Sequence, residues 1–191
     1  MRCRECYTQG MKPLLVVVTG LQGTGKSTVA ESAAGVLGAP VLAHDWAMSG
    51  LRPYPHLQQA LGSMEPGAHG AVGWSILRAL ARSQLRRKAT VILDGVARAP
   101  DIHRCEEVAR DEGATLIVIL TECADAQVHR SRIEGRRRDI PNWYELEWDH
   151  MQRARTSWEP PDRVDLTVQA TDSPDTNSRL VRDFLATVAT G

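Results

Sequence analysis

The stretch LLVVVTGLQGTGKSTVA, residues 14–30, places three glycines, a lysine and several hydroxyl residues directly after a β-branched apolar run. Gly20, Gly23 and Gly25 permit positive φ and close backbone approach, so successive N–H groups can turn inward around an anion. Thr24 completes the loop, Lys26 adds a mobile ammonium, Ser27 offers a hydroxyl to a divalent cation, and Thr28 enters the first helical turn. The helix that starts near Lys26 contributes unpaired N–H groups and the positive end of its dipole. The pattern G-x-x-x-x-G-K-S/T is met at every fixed position, between a strand and a helix as it requires. The stretch therefore reads as a nucleoside triphosphate site, for ATP or GTP with Mg²⁺, rather than as a glycine turn with an incidental lysine.

Two carboxylates follow later apolar runs. Asp94 ends VILD, the pattern of an acid that orients Mg²⁺ directly or through water. Asp45 follows VLAH, where a carboxylate can take the proton of an attacking hydroxyl. An acid in such a place can also be only a turn former or N-cap. A third cluster is HRSRIEGRRRDIP, residues 129–141. On a predicted helix over 124–137, Arg132 and Arg136 are four apart, share a face and can reach one phosphate chain together. Pro141 ends the stretch and NWYELEW begins another helical pattern, so 129–141 reads as a lid able to close over nucleotide.

The elements that must position these groups follow from periodicity. Apolar runs alternate with helical patterns, the signature of a parallel sheet with helices on both faces. Strands are expected at 14–19, 40–44, 90–94, 115–120 and 164–168, and helices at 26–37, 70–87, 100–112, 124–137, 143–158 and 175–189. Residues 50–71, rich in Gly, Pro and His, read as a mobile cover over the strand ends. The chain of 191 residues suits one domain over 12–191 behind a flexible leader at 1–11. That leader holds Cys3 and Cys6, a C-x-x-C with no second pair or nearby His cluster to complete a zinc site. Cys105 and Cys123 read as small hydrophobes. No apolar run suits a membrane span, and the polar first residues argue against a secretory signal and for the cytoplasm.

Taken together, GLQGTGKS, Asp45, Asp94 and RIEGRR resemble the P-loop kinases of the nucleoside-kinase and adenylate-kinase type. The likeness is nearest to the small kinases grouped with polynucleotide kinase, gluconate kinase and zeta toxins. It covers about residues 13–140 and the last strand. It implies a three-layer α/β P-loop fold with strand order 2-3-1-4-5, an Arg132 that packs on adenine, an Arg136 that touches the transferred phosphoryl group, and an Asp45 that activates the acceptor hydroxyl. The T-G-D-x-L-R of adenylate kinases has no good counterpart in AHDWAMSGLR, and the three tryptophans of IPNWYELEW and SWEPP map to no catalytic motif.

The expected function is an ATP-dependent phosphotransferase acting on an alcohol. A nucleotide switch or motor is the alternative class. No N-K-x-D base-reading motif begins at Asn142 or Asn177, no S-G-G-Q-like signature is present, and the chain is short for a AAA machine. Within the kinases, a 5′-hydroxyl polynucleotide kinase would want a basic groove. The formal net charge is zero, and the cover holds Arg52 among the apolar and aromatic residues that Trp46, Tyr54 and Trp74 supply around it. A small acceptor fits better, a nucleoside, sugar, antibiotic or metabolite packed on Trp46, with Arg52 and Arg98 able to bind a carboxylate or phosphate on it.

Overall fold

Leu14 to Val18 can be an unbroken apolar run because both faces of its strand are covered. In the computed structural model, which describes residues 12–65, 67–145 and 147–190, β1 (Leu14–Thr19) is the central strand of a five-stranded sheet. The others are β2 (Val41–Ala43), β3 (Val91–Asp94), β4 (Thr115–Glu122) and β5 (Leu166–Gln169). All pair in parallel in the order β2-β3-β1-β4-β5, with Val17 in register with Leu93 on one side and Val118 on the other. The fold class and strand order expected from the sequence are those observed. The helices are α1 (Lys26–Leu37), α2 (His44–Ser49), α3 (Pro55–Gly62), α4 (Ala68–Leu85), α5 (Ala99–Glu112), α6 (Ala126–Glu134), α7 (Trp148–Ser157) and α8 (Pro174–Thr190).

The period of two along the strands sorts their side chains into two cores. Leu15, Val17, Leu93 and Val118 pack on Trp74, Leu77 and Leu85 of α4 and Ile102 and Cys105 of α5. Val16, Val18, Ile92 and Ile119 pack on Val29, Ala30 and Ala33 of α1 and Val181 and Leu185 of α8. Burial pushes the Cys105 thiol up to about 12, which suits its reading as a small hydrophobe. The Cys3 and Cys6 leader lies outside the described residues. No helix among the described residues is long and apolar enough to cross a membrane.

Residues 50–71 are not simply a loop. They contain α3 and the start of α4, and α2 comes just before them. Pro55 sits in the first turn of α3, where its missing N–H costs nothing, so its presence marked a helix start rather than a break.

Gly20 is the tightest point of the loop that leaves β1. Its φ is 141°, and a Cβ there would collide with the Thr121 carbonyl oxygen on β4. Gly35, in the exposed part of α1, has nothing within 4 Å of a Cβ. Gly20→Ala is expected to lower stability by about 2 kcal/mol or more through overpacking against backbone, and Gly35→Ala to raise it by about 0.5–1 kcal/mol. Thermal melts of the two variants check both signs.

Candidate active site

The carboxyl ends of the parallel strands open on one rim, where ligands bind in sheets of this kind. A cleft of about 950 Å³ lies there, and Lys26, Ser27, Asp45, Asp94, Arg132 and Arg136 all line it. Gly23, Gly25, Thr28, Trp46 and Arg98 line it as well. Gly25 caps α1 in the left-handed region, at φ 88°, which turns the chain from loop to helix under the cleft.

The loop is held from beneath. Thr24 is 3% exposed, and its Oγ1 lies 2.7 Å from the Leu21 carbonyl oxygen and 2.6 Å from Thr121 Oγ1. Thr24 therefore braces the loop from below. Lys26 Nζ donates to the Leu21 carbonyl at 2.8 Å. Ser27 Oγ donates to Asp94 Oδ2 at 2.9 Å, which joins the loop hydroxyl to the acid that ends β3. His129 of α6, 2% exposed, places Nε2 2.6 Å from the Gln22 carbonyl and so bears its proton there, tying α6 to the loop.

The charged groups of the cleft act on one another. Burial lowers the Lys26 pKa to about 8, with Arg136 and Arg138 adding to the effect against the pull of Asp94 and Asp45. Burial raises the Asp94 carboxyl above its usual range, against the attraction of Lys26 and the bond from Ser27. Arg136 is lowered by burial and by Arg138 beside it.

Several sequence expectations need correction. The helix expected over 124–137 is shorter, because the Asp125 carboxylate caps its start by accepting from Gln127 and Val128 N–H and the helix ends at Glu134. Arg136 therefore lies past the helix, and Arg132 and Arg136 do not share a helical face. Arg132 instead donates to the Ala170 carbonyl, between the main cleft and a smaller cavity of about 190 Å³. Asp45 is in the first turn of α2, not at a strand end, because β2 stops at Ala43. Arg52 does not line the cleft. Its Nε donates to the Asn142 carbonyl at 3.1 Å, and its guanidinium stacks 5.9 Å and 5.5 Å from the Trp143 and Tyr144 ring centres. Arg98 is exposed at the N-cap of α5, its backbone N–H donating to Asp101 Oδ2.

Arg138 was missed. Its side chain is 6% exposed; Nη1 donates to Asp45 Oδ2 and Nη2 to the Tyr144 carbonyl at 3.2 Å. His44 was missed too, with Nδ1 3.7 Å from Asp45 Oδ1 and Nε2 3.1 Å from the Gly70 carbonyl. Burial works against ionisation of Asp45, but His44, Arg138 and Lys26 outweigh it and hold the carboxyl below its ordinary value. The only signal for Arg138 was the arginine run itself, and which arginine turns inward depends on where α6 ends. Trp46 is 56% exposed at the rim, whereas Trp74 is buried and bonds the Val96 carbonyl through Nε1, the role of a core residue.

The family described as "AAA domain" matches residues 15–161. The chain belongs to that family. Its description names a domain and no reaction. Among curated proteins, none matches the sequence. Solved structures share the fold. A gluconokinase from Sinorhizobium meliloti 1021 is 18% identical, with 94% of each chain covered and a TM-score of 0.65. The Mycobacterium tuberculosis APS kinase CysC, in complex with AMPPNP and APS, is 21% identical, covering 92% of this chain and 98% of that one at a TM-score of 0.61. Chaetomium thermophilum Kti12, in complex with ADP-AlF3, is 21% identical, covering 94% of this chain and 100% of that one at a TM-score of 0.68. The resemblance to small P-loop kinases is borne out at the level of family and fold.

Proposed function

We propose that the protein is an ATP-dependent kinase that transfers the γ-phosphoryl group to a hydroxyl of a small molecule. The observation that carries this reading is a second carboxylate, Asp45, in the same cleft as the loop and Asp94 but on a different element, α2. A hydrolytic switch has no need of an acceptor side. Here the cleft extends past Asp45 to Trp46, Trp143 and Tyr144, aromatic walls for an organic acceptor. The gluconokinase and the APS kinase complex with a nucleotide analogue and APS support a small acceptor by analogy of fold.

Ser27 and Asp94 offer a hydroxyl and a carboxylate, hard oxygen donors suited to Mg²⁺. No cluster of three or more His, Cys, Asp or Glu able to hold a metal exists among the described residues, so the ion would complete its shell with phosphate oxygens and water. Bound there, Mg²⁺ would supply positive charge to the β and γ oxygens. The backbone N–H groups around Gly23 and Gly25 hold the phosphates, and Lys26 and Arg136 offset charge on the phosphoryl group as it moves. Arg132 supports the nucleotide beside its base. Asp45 orients the acceptor hydroxyl and takes its proton as the oxygen bonds to the γ phosphorus. The bond from phosphorus to the β–γ bridging oxygen breaks, and ADP leaves with that electron pair. Arg98, at the rim, faces an anionic group on the acceptor where one is present.

The test is ADP release from ATP and Mg²⁺ across a panel of nucleosides, sugars, antibiotics, hydroxy acids and a 5′-hydroxyl oligonucleotide. Release above the acceptor-free rate, with a phosphate ester as product, is the expected outcome for a small alcohol. Stimulation by the oligonucleotide alone would favour the polynucleotide kinase, and no stimulation across the panel with steady hydrolysis would favour a switch.

A further inference from the structure

Both oxygens of the Asp45 carboxylate are engaged. Oδ1 faces His44 Nδ1 at 3.7 Å, and Oδ2 accepts from Arg138 Nη1. The two partners differ in kind. His44 is one residue away on the same helix, and its ring is wedged against Gly73, Gly95 and Trp74 with Nε2 at the Gly70 carbonyl, so it is fixed to the body of the fold. Arg138 comes from the segment after α6, far along the chain, and besides Asp45 it bonds within that segment: Nη2 to the Tyr144 carbonyl, Nε 3.8 Å from Glu145 Oε2, and its backbone N–H to Glu145 Oε1 at 2.8 Å. A second tie joins the same two parts, Arg52 on the Asn142 carbonyl and over the Trp143 and Tyr144 rings. The segment 138–144 is thus fastened across the acceptor side of the cleft, with a nearly buried guanidinium on the carboxylate that an acceptor hydroxyl must reach.

We propose that Arg138 is a positioning residue that blocks Asp45 Oδ2 until an acceptor hydroxyl replaces it, so that the cleft transfers the phosphoryl group instead of hydrolysing the nucleotide. This rests on the reading of Asp45 as the acceptor-side base. Water is the competing nucleophile in any such cleft. In hydrolysis, water oxygen bonds to the γ phosphorus, the bond to the bridging oxygen breaks, ADP leaves with the electron pair and one water proton goes to Asp45. A carboxylate oxygen occupied by a guanidinium accepts that proton poorly, both because its lone pair is committed and because the adjacent charge weakens it as a base. An acceptor seated against the aromatic walls presents its hydroxyl to Oδ2 and displaces the Arg138 guanidinium from it, which couples freeing of the base to the presence of the correct substrate.

The experiment measures acceptor-free ADP release from ATP and Mg²⁺ by the full chain and by Arg138→Met, Arg138→Lys and the double variant Asp45→Asn with Arg138→Met. Arg138→Met is expected to raise hydrolysis about tenfold, consistent with freeing a general base. Its acid limb should move to higher pH, because the charge that held the carboxyl down is gone. The other charged groups within electrostatic reach of Asp45, which are His44, Lys26, Asp94, Arg136 and Tyr144, are unchanged between these proteins. The double variant should fall back below wild type. Arg138→Lys keeps the charge but loses the fork that spans Asp45 and Tyr144, and should show a smaller rise; it decides the matter by the same criterion if the Met variant does not fold. Hydrolysis equal to or below wild type in the folded Arg138 variant overturns the proposal, as does a rise that survives in the double variant. Failure of the kinase reading shows elsewhere, in the acceptor panel: absence of acceptor stimulation sinks that reading, whereas stimulation with unchanged Arg138 hydrolysis sinks only the blocking role.

Discussion

Lys26→Ala should remove most of the thermal stabilisation that ATP with Mg²⁺ confers on the wild type, and slow phosphoryl transfer by about a hundredfold or more. At a hundred times its dissociation constant a ligand that binds only the native state stabilises it by about 2.7 kcal/mol, or about 5–10 °C for a chain of this size. Lys26 is the group most in need of that ligand, since burial and the neighbouring Arg136 and Arg138 draw its pKa to about 8. The sign of the pH dependence follows. A bound triphosphate favours the ammonium, so binding is strongest while Lys26 is charged in the free protein and weakens as pH rises through about 8. In Lys26→Ala both the affinity and this slope should be lost, and titration calorimetry at several pH values reads the two separately. A wild type that shows no thermal shift with any nucleoside triphosphate at millimolar concentration would sink the reading of the loop.

What could be seen from the sequence was whatever local spacing carries. Gly20 to Ser27 lie together within one loop and one helix turn after one strand, so their pattern is local, and Asp94 ends a strand that its apolar run announces. The alternation of runs gave the parallel sheet, since a strand covered on both faces has no polar side to interrupt it. Contacts across long stretches of chain were not visible. Arg52 meets Asn142, and Asp45 meets Arg138, through folding that no local pattern encodes. The short α2 and α3 were hidden because Gly50, Pro53 and Pro55 read as loop punctuation, although Pro55 in fact opens α3. A spacing of four from Arg132 suggests that Arg136 shares its helix, but α6 ends at Glu134, and beyond it the chain's direction is set by tertiary partners, as where Arg138 N–H meets Glu145.

Asp45→Asn separates a kinase from a switch more sharply than any other single change. Asparagine keeps the shape and can still accept a hydrogen bond, but it cannot take a proton, so transfer to an identified acceptor should slow by about a hundredfold or more while ATP affinity stays nearly unchanged. The change also leaves Arg138 without its carboxylate, but the Asp45 side chain is 37% exposed and Arg138 retains the Tyr144 carbonyl and Glu145. The loss of stability should therefore be about 1 kcal/mol, too little to imitate a chemical defect at room temperature. Asp94→Asn should behave differently. Its partner is the Ser27 hydroxyl, the pair assigned here to the metal, so the Mg²⁺ concentration needed for half-maximal rate should rise, whereas in Asp45→Asn it should not. Two acids on two elements that fail in two distinguishable ways are what a transfer mechanism requires, one serving the donor and the other the acceptor. Full transfer activity in Asp45→Asn would leave the acceptor hydroxyl without a base and would end the mechanism proposed here.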